Sequence, residues 1–297
     1  MKVLLASDGS EQAEQATRFL RRFPHIENLE ITVLNCFAIP AYAINETSAD
    51  WIVEFREIAD SGAKDIQTKT KEILKDTNVQ LNFVTKEGHA GYEAVDFAKK
   101  NGFDLIVLGA TGHSMLSRIL LGSVSDYVAT HAHCSVLIVR QAKEADGRPK
   151  NMNVAIAYDG SRQSKAAVDE FSRFNWGAKM EIHLIHSALN LYAYRERLKP
   201  ASEADSHHRQ STTLEQLKLV AKQLPFTDPD PQVHLFEADH IGQSIIDFAS
   251  RSNSDIVMMG DTGLSAVDRM LLGSTSRFVL RHAPMSVWIA RHRGSKT

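Results

Sequence analysis

Gly109-Ala-Thr-Gly112-His-Ser-Met-Leu-Ser-Arg-Ile-Leu-Leu-Gly122-Ser123 follows an apolar run, Leu105-Ile-Val-Leu108, and leads into Val124–Ala132, whose pattern is helical. Strand, glycine loop and helix start, in that order, suit an anion. Glycines let the backbone come close to a ligand, and the unpaired N–H groups of a helix start attract negative charge. The stretch occurs a second time as Gly260-Asp-Thr-Gly263-Leu-Ser-Ala-Val-Asp-Arg-Met-Leu-Leu-Gly273-Ser274. In both copies the spacing is Gly-x2-Gly-x9-Gly-Ser. It lacks the Gly-Lys-Ser/Thr of a P-loop, so no lysine reaches the outer phosphates, and it lacks the GxGxxG of a dinucleotide fingerprint.

The recurrence extends along the whole chain. At an offset of 151 residues, Asp8-Gly9-Ser10 meets Asp159-Gly160-Ser161, Gly91 meets Gly242, and Asp96-Phe97-Ala98 meets Asp247-Phe248-Ala249. Asp104 meets Asp255, Arg118 meets Arg269, and His131-Ala132 meets His282-Ala283. Such a period is too long for a solenoid repeat and implies two tandem domains. Residues 141–150 are polar and lack apolar periodicity, as a linker does. The expected domains are residues 1–142 and 152–297.

Each half alternates strand and helix. In the first, strands are expected at Lys2–Ala6, Glu30–Cys36, Val79–Val84, Asp104–Leu108 and Ser135–Arg140. Helices are expected at Glu11–Phe23, Ala49–Lys75, Gly91–Asn101 and Ser123–His131, with Ser10 as the first N-cap and a long loop over Phe37–Thr47. In the second half the strands fall near Asn153–Ala157, Glu181–His186, Gln232–Glu237, Asp255–Met259 and Ser286–Ala290. The fold class is therefore α/β, as two tandem doubly wound domains, each with a five-stranded parallel sheet. Ligands of such sheets lie outside the carboxyl ends of the strands, where the strand order reverses. Asp8 follows the first strand and Gly109 the fourth, so both belong to that rim. Gly109 and Gly112 would bring backbone N–H groups to the phosphates. Gly122 would open the next helix, and Ser123 with the N–H groups of Ser123 and Val124 would hold a terminal phosphate. Asp8 suits a ribose hydroxyl or a hydrated metal ion on the phosphates.

Composition bounds the remaining classes. The 297 residues are 43% hydrophobic and 24% charged with a net charge of −2, the balance of a globular chain. There is no basic footprint for nucleic acid, and no apolar run approaches the ~20 residues that span a bilayer. The N-terminus turns polar too early for a signal peptide. The two cysteines, Cys36 and Cys134, lie far apart and form no CxxC, which fits reduced, buried thiols and a cytoplasmic location.

These features resemble the universal stress protein superfamily in its tandem two-domain form. The strand ending in Asp-Gly-Ser, the Gly-x2-Gly-x9-Gly-Ser loop and the closing His-Ala-x-x-Ser-Val strand stand in order, twice. The resemblance implies the adenine nucleotide α-hydrolase-like fold, binding of ATP, ADP or AMP, and a role in stress survival; Mg2+ is the cation expected on the phosphates. By position it implies base contacts near Cys36 and Ser187, and ribose and phosphate contacts at Asp8 and Asp159. It implies phosphate contacts at Gly109, Gly112, Gly122, Ser123 and Val124, and at Gly260, Gly263, Gly273, Ser274 and Thr275. It also implies pairing of the two domains through their last strands, with a homodimer left open. One departure is that Ser135 and Ser286 replace a proline often found ahead of the last strand.

The two loops differ. Ala110, His113 and Ser117 in the first stand where the second has Asp261, Leu264 and Asp268. Two extra carboxylates near a polyphosphate are unfavourable, so the first half is expected to bind ATP more tightly. None of the 13 histidines shows zinc-site spacing. His183 and His186, three apart in a strand, should face opposite sides. His89 and His240 lie on the ligand rim. No catalytic set can be assembled, so at most a slow ATPase is expected. Two other classes remain open: an adenylating or hydrolysing enzyme of the nucleotide α-hydrolase type, and a nucleotide-independent scaffold binding a hydrophobic ligand or a metal through Phe37–Ile44 and Ser187–Pro200.

Overall fold

Val3, Leu4 and Leu5 have no exposed surface, as expected of a strand covered on both faces. They form the middle of β1 (Lys2–Ala6) in a computed structural model that describes residues 1–23, 28–39, 49–112, 121–140, 152–173, 180–190, 203–225, 229–263 and 272–291. The chain divides into two units, the first within Met1–Lys143 and the second within Glu144–His292.

In unit 1, β1 is followed by α1 (Glu11–Arg21), β2 (Glu30–Phe37), α2 (Ala49–Leu74), β3 (Gln80–Glu87), α3 (Ala90–Asn101), β4 (Leu105–Gly109), α4 (Ser123–His131) and β5 (Ser135–Val139). The strand order is β3-β2-β1-β4-β5 and every pairing is parallel. Right-handed crossovers carry α1 and α2 to one face and α3 and α4 to the other. The helices pack in those same pairs. The direction of chain progression reverses between β1 and β4, which opens a crevice at their carboxyl ends.

Unit 2 repeats the plan with β6 (Met152–Ala157), α5 (Arg162–Ser172), β7 (Met180–Leu189), α6 (Glu203–Ala221), β8 (Gln232–Ala238), α7 (Ile241–Arg251), β9 (Ile256–Gly260), α8 (Ser274–His282) and β10 (Ser286–Ala290). Its order is β8-β7-β6-β9-β10, again all parallel. The expected fold class is the observed one.

The second strands run further than expected. Phe37 closes β2 rather than opening a loop, and β7 continues to Leu189. The cause is pairing with the third strand. Cys36 and Phe37 lie in register with Lys86 and Glu87, and Ser187 with Phe236. Both strands thus outlast the first strand on their other side, and this shapes one end of each crevice. The linker 141–150 and the segments 40–48 and 191–200 lie outside the described residues.

Candidate functional site

The Asp-Gly-Ser turn after the first strand is built the same way in both units. Gly9 and Gly160 sit at φ +78° and +82°, a region that favours glycine. Oδ1 of Asp8 accepts the Ser10 N–H at 3.0 Å, and Oδ1 of Asp159 accepts the Ser161 N–H at 2.9 Å. Ser10 and Ser161 cap the following helices by accepting from Ala13 and Ser164. The aspartates are therefore turn braces and the serines are the caps. A Cβ on Gly112 would lie 2.5 Å from Asp8 Oδ2, and one on Gly263 2.8 Å from Asp159 Oδ2. Each aspartate thus meets its glycine loop across the β1/β4 or β6/β9 crevice.

The three loop glycines do different work. Gly109 and Gly260 end the fourth strands, where a Cβ would sit 2.8 Å from the Gln12 carbonyl oxygen or 2.6 Å from the Gln163 carbonyl carbon. They let the first helix of the unit lie close on the sheet. Gly112 and Gly263 leave room for the aspartates. Gly122 and Gly273 donate N–H bonds of 2.8 Å to the carbonyls of Ala110 and Asp261, which closes the loop on itself. They also occupy the N-cap positions of α4 and α8, and neither helix has a side-chain cap there. The first N–H groups of Ser123, Val124, Ser274 and Thr275 begin helices whose ends are thus left for an outside acceptor. Ser123 and Ser274 are exposed.

The second-strand end of the crevice follows from strand parity. In a parallel strand the N–H and C=O of one residue point to the same neighbour, and alternate residues point alike. Leu34 accepts from Ser7 on the β1 side, so Cys36 turns its backbone to that side too, beyond the end of β1. Ile185 accepts from Tyr158, so Ser187 does the same beyond β6. In unit 1 these groups wall a cleft of roughly 250 Å3, with Asp8, Cys36, Gly112, Gly122 and Ser123 on its lining. The Cys36 thiol is pushed up to about 11, first by burial and then by the Glu93 carboxylate, so it stays protonated and is a poor nucleophile.

Several residues of the site were missed from sequence. Ser125 and Ser276 donate from Oγ to the Gly109 and Gly260 carbonyls at 2.8 Å, locking loop to helix. The duplicated Gly-Ser-x-Ser was the available signal. Asn35 donates to the Ser7 carbonyl at 3.0 Å, and His186 holds the equivalent Tyr158 carbonyl at 2.9 Å from Nδ1. Two residue types doing one job leave no shared motif. Asp261 does not stand alone beside the loop: Arg291 Nε lies 3.5 Å from its Oδ2, and both side chains are largely buried. The Asp261 carboxylate thus has a counter-charge within the unit. His113, Ser117, Arg118, Leu264, Asp268 and Arg269 lie outside the described residues.

The same rim stands twice, on two doubly wound parallel sheets, which defines an α/β protein of two like domains. The profile of the Universal stress protein family matches residues 1–140 and again 150–291. The chain belongs to the universal stress protein family, in tandem two-domain form. A universal stress protein of Methanocaldococcus jannaschii is 29% identical over 143 residues, covering 48% of this chain and 84% of that protein. Universal stress protein YxiE of Bacillus subtilis is 32% identical over 149 residues, covering 47% and 98%. The crystal structure of a universal stress protein from Archaeoglobus fulgidus shares the fold over 98% of both chains, with a TM-score of 0.70 at 21% identity.

Proposed function

We propose that each unit binds one adenine nucleotide, ATP, ADP or AMP, and that the chain acts in the cytoplasm as a nucleotide-dependent stress-response protein. The two binding domains would span residues 1–142 and 152–297. The observation that carries the reading is the crevice between β1 and β4, where Asp8, Gly112 and the uncapped start of α4 converge on one cleft. The phosphates would take the N–H groups of Gly112, Ser123 and Val124, and in unit 2 those of Gly263, Ser274 and Thr275. Gly109 and Gly260 would act one step removed, by setting the depth of the crevice. The base would meet the backbone of Cys36 or Ser187, and Asp8 or Asp159 would accept from a ribose hydroxyl.

Among the described residues no group of three or more histidines, cysteines or acidic residues is placed to hold a metal ion. Mg2+ would therefore be held through the phosphates, with Asp8 or Asp159 as the protein's carboxylate. Hydrolysis would need a positioned water and that cation, and would be slow without a lysine on the outer phosphates. Calorimetric titration of ATP into nucleotide-stripped protein tests the reading. Two saturable sites per chain are expected. Absence of binding at millimolar ATP would refute it.

A further inference from the structure

On the face of the unit 2 sheet that carries α7, His183 of β7 and His234 of β8 meet, Nδ1 to Nε2, at 3.2 Å. The Phe248 ring of α7 covers them, with centroids 5.5 Å from His183 and 4.4 Å from His234. His183 is 6% exposed, and its Nε2 is buried without a hydrogen-bond partner among the described residues. At the start of α7 a third imidazole, His240, accepts the Gln243 N–H at Nδ1, 3.1 Å away, and so caps the helix. Unit 1 has none of this. Thr32 and Phe83 stand where unit 2 has His183 and His234, and His89 makes no side-chain cap bond to α3.

Counting protons shows what acid would do. The neutral pair holds two: one shared between His183 Nδ1 and His234 Nε2, the other on the outer Nδ1 of His234. A third proton can go only to His183 Nε2, which has no acceptor and lies in an apolar place. A fourth sets two N–H groups against each other and breaks the shared bond. At His240, a proton on Nδ1 removes the acceptor that caps α7. Charged or titratable side chains carried by the surrounding elements include Glu181 on β7, Asp247 and Arg251 on α7, and Arg277 and His282 on α8. Of these, the Glu181 carboxylate favours a charged His183, but burial outweighs it and holds the imidazole below its usual range.

We propose that His183, His234 and His240 form a proton-sensitive seat for α7, which loosens the helix from the unit 2 sheet in mild acid while α3 of unit 1 stays in place. The seat stands independently of what the two sites bind. Ser244 of α7 shares a 2.7 Å hydroxyl bond with Ser187, so α7 is also tied to the base end of the second site.

Amide hydrogen exchange on the full chain tests the seat, with α3 as internal control for the chemical pH dependence of exchange. Between about pH 7.5 and pH 5.5, protection of α7 relative to α3 is expected to fall about tenfold or more. A constant ratio would overturn the proposal. The variant His183→Thr/His234→Phe/His240→Asn, which takes unit 1 residues into the pair and keeps a cap, should hold the ratio constant. A fall as large as in the unmodified chain would also overturn it. Should the variant not fold, NMR titration of the His183 ring in the unmodified chain decides. A midpoint below the ordinary histidine range supports the seat, and an ordinary or raised one overturns it.

Discussion

Unit 1 and unit 2 share their rim backbone almost residue for residue, yet they differ in where charge is placed. After the fourth strand, unit 1 carries Ala110 and unit 2 carries Asp261 with its internal counter-ion Arg291. At the second-strand end of the crevice, unit 1 sets a thiol at Cys36 beside the ion pair Lys86–Glu93, 2.5 Å apart, while unit 2 sets two hydroxyls, Ser187 and Ser244, 2.7 Å apart. Under the third helix, unit 1 has Thr32 and Phe83 where unit 2 has the histidine pair. The comparison teaches that a duplicated scaffold can preserve turns, caps and close approaches while its electrostatics diverge. Backbone geometry makes each site, and side chains set how the two respond.

The largest expected effect separates the sites. Gly122→Asp and Gly273→Asp would each place a carboxylate at an N-cap without a side-chain cap, where it would accept the N–H bonds that the proposed phosphate would take. Each variant should lose one site, with affinity reduced about a hundredfold, or about 2.7 kcal/mol. Calorimetry would show one site left in each, and equal loss at both sites in either variant would break the picture of two separate units. An aspartate cap suits a helix start, so thermal stability should change little, although the new Cβ of Gly122→Asp would crowd the Ala110 carbonyl oxygen at 3.3 Å.

Next in size, Gly109→Ala and Gly260→Ala should each cost about 1–3 kcal/mol by forcing α1 or α5 off the sheet. Denaturant unfolding would measure it. A neutral result would mean that the first helices do not lie as close to the fourth strands as described. The acid response comes third. Burial lowers the folded pKa of both His183 and His234 from the ordinary 6.5, with the charge of His183 a second cause at His234. The unfolded chain then binds more protons, so the stability linked to the pair is complete above pH 6.5 and is lost as pH falls below it. Unit 2 should melt earlier than unit 1 at about pH 5.5, by a margin of about 1 kcal/mol. The smallest effect is expected from Asp261→Ala. With Arg291 already offsetting the carboxylate, ATP affinity at the second site should change by less than about threefold, a surplus of only ~0.6 kcal/mol. A much larger gain would restore the view that Asp261 itself weakens that site.

Fold class and repeat were legible because strand, turn and helix are local matters. Asp-Gly-Ser announces a positive-φ glycine and a serine cap, and Gly-x2-Gly-x9-Gly-Ser marks a loop ending at a helix start. What escaped depends on neighbours far along the chain. The extension of β2 to Phe37 is set by β3, after β1 has ended. That Gly109 serves close packing is visible only once Gln12 lies against it. The His183–His234 pair needs the parallel register of β7 and β8, which spacing along one strand cannot supply. The partner of Asp261 is 30 residues away at the end of another strand.

The central claim is that both crevices hold an adenine nucleotide. It is tested most directly by denaturing the purified chain and identifying the released small molecules by mass and stoichiometry, after incubation with ATP and rapid desalting. The account predicts adenine nucleotide approaching two equivalents per chain, falling to one in either Gly122→Asp or Gly273→Asp. Release of none, from protein that remains folded and monodisperse, would contradict it.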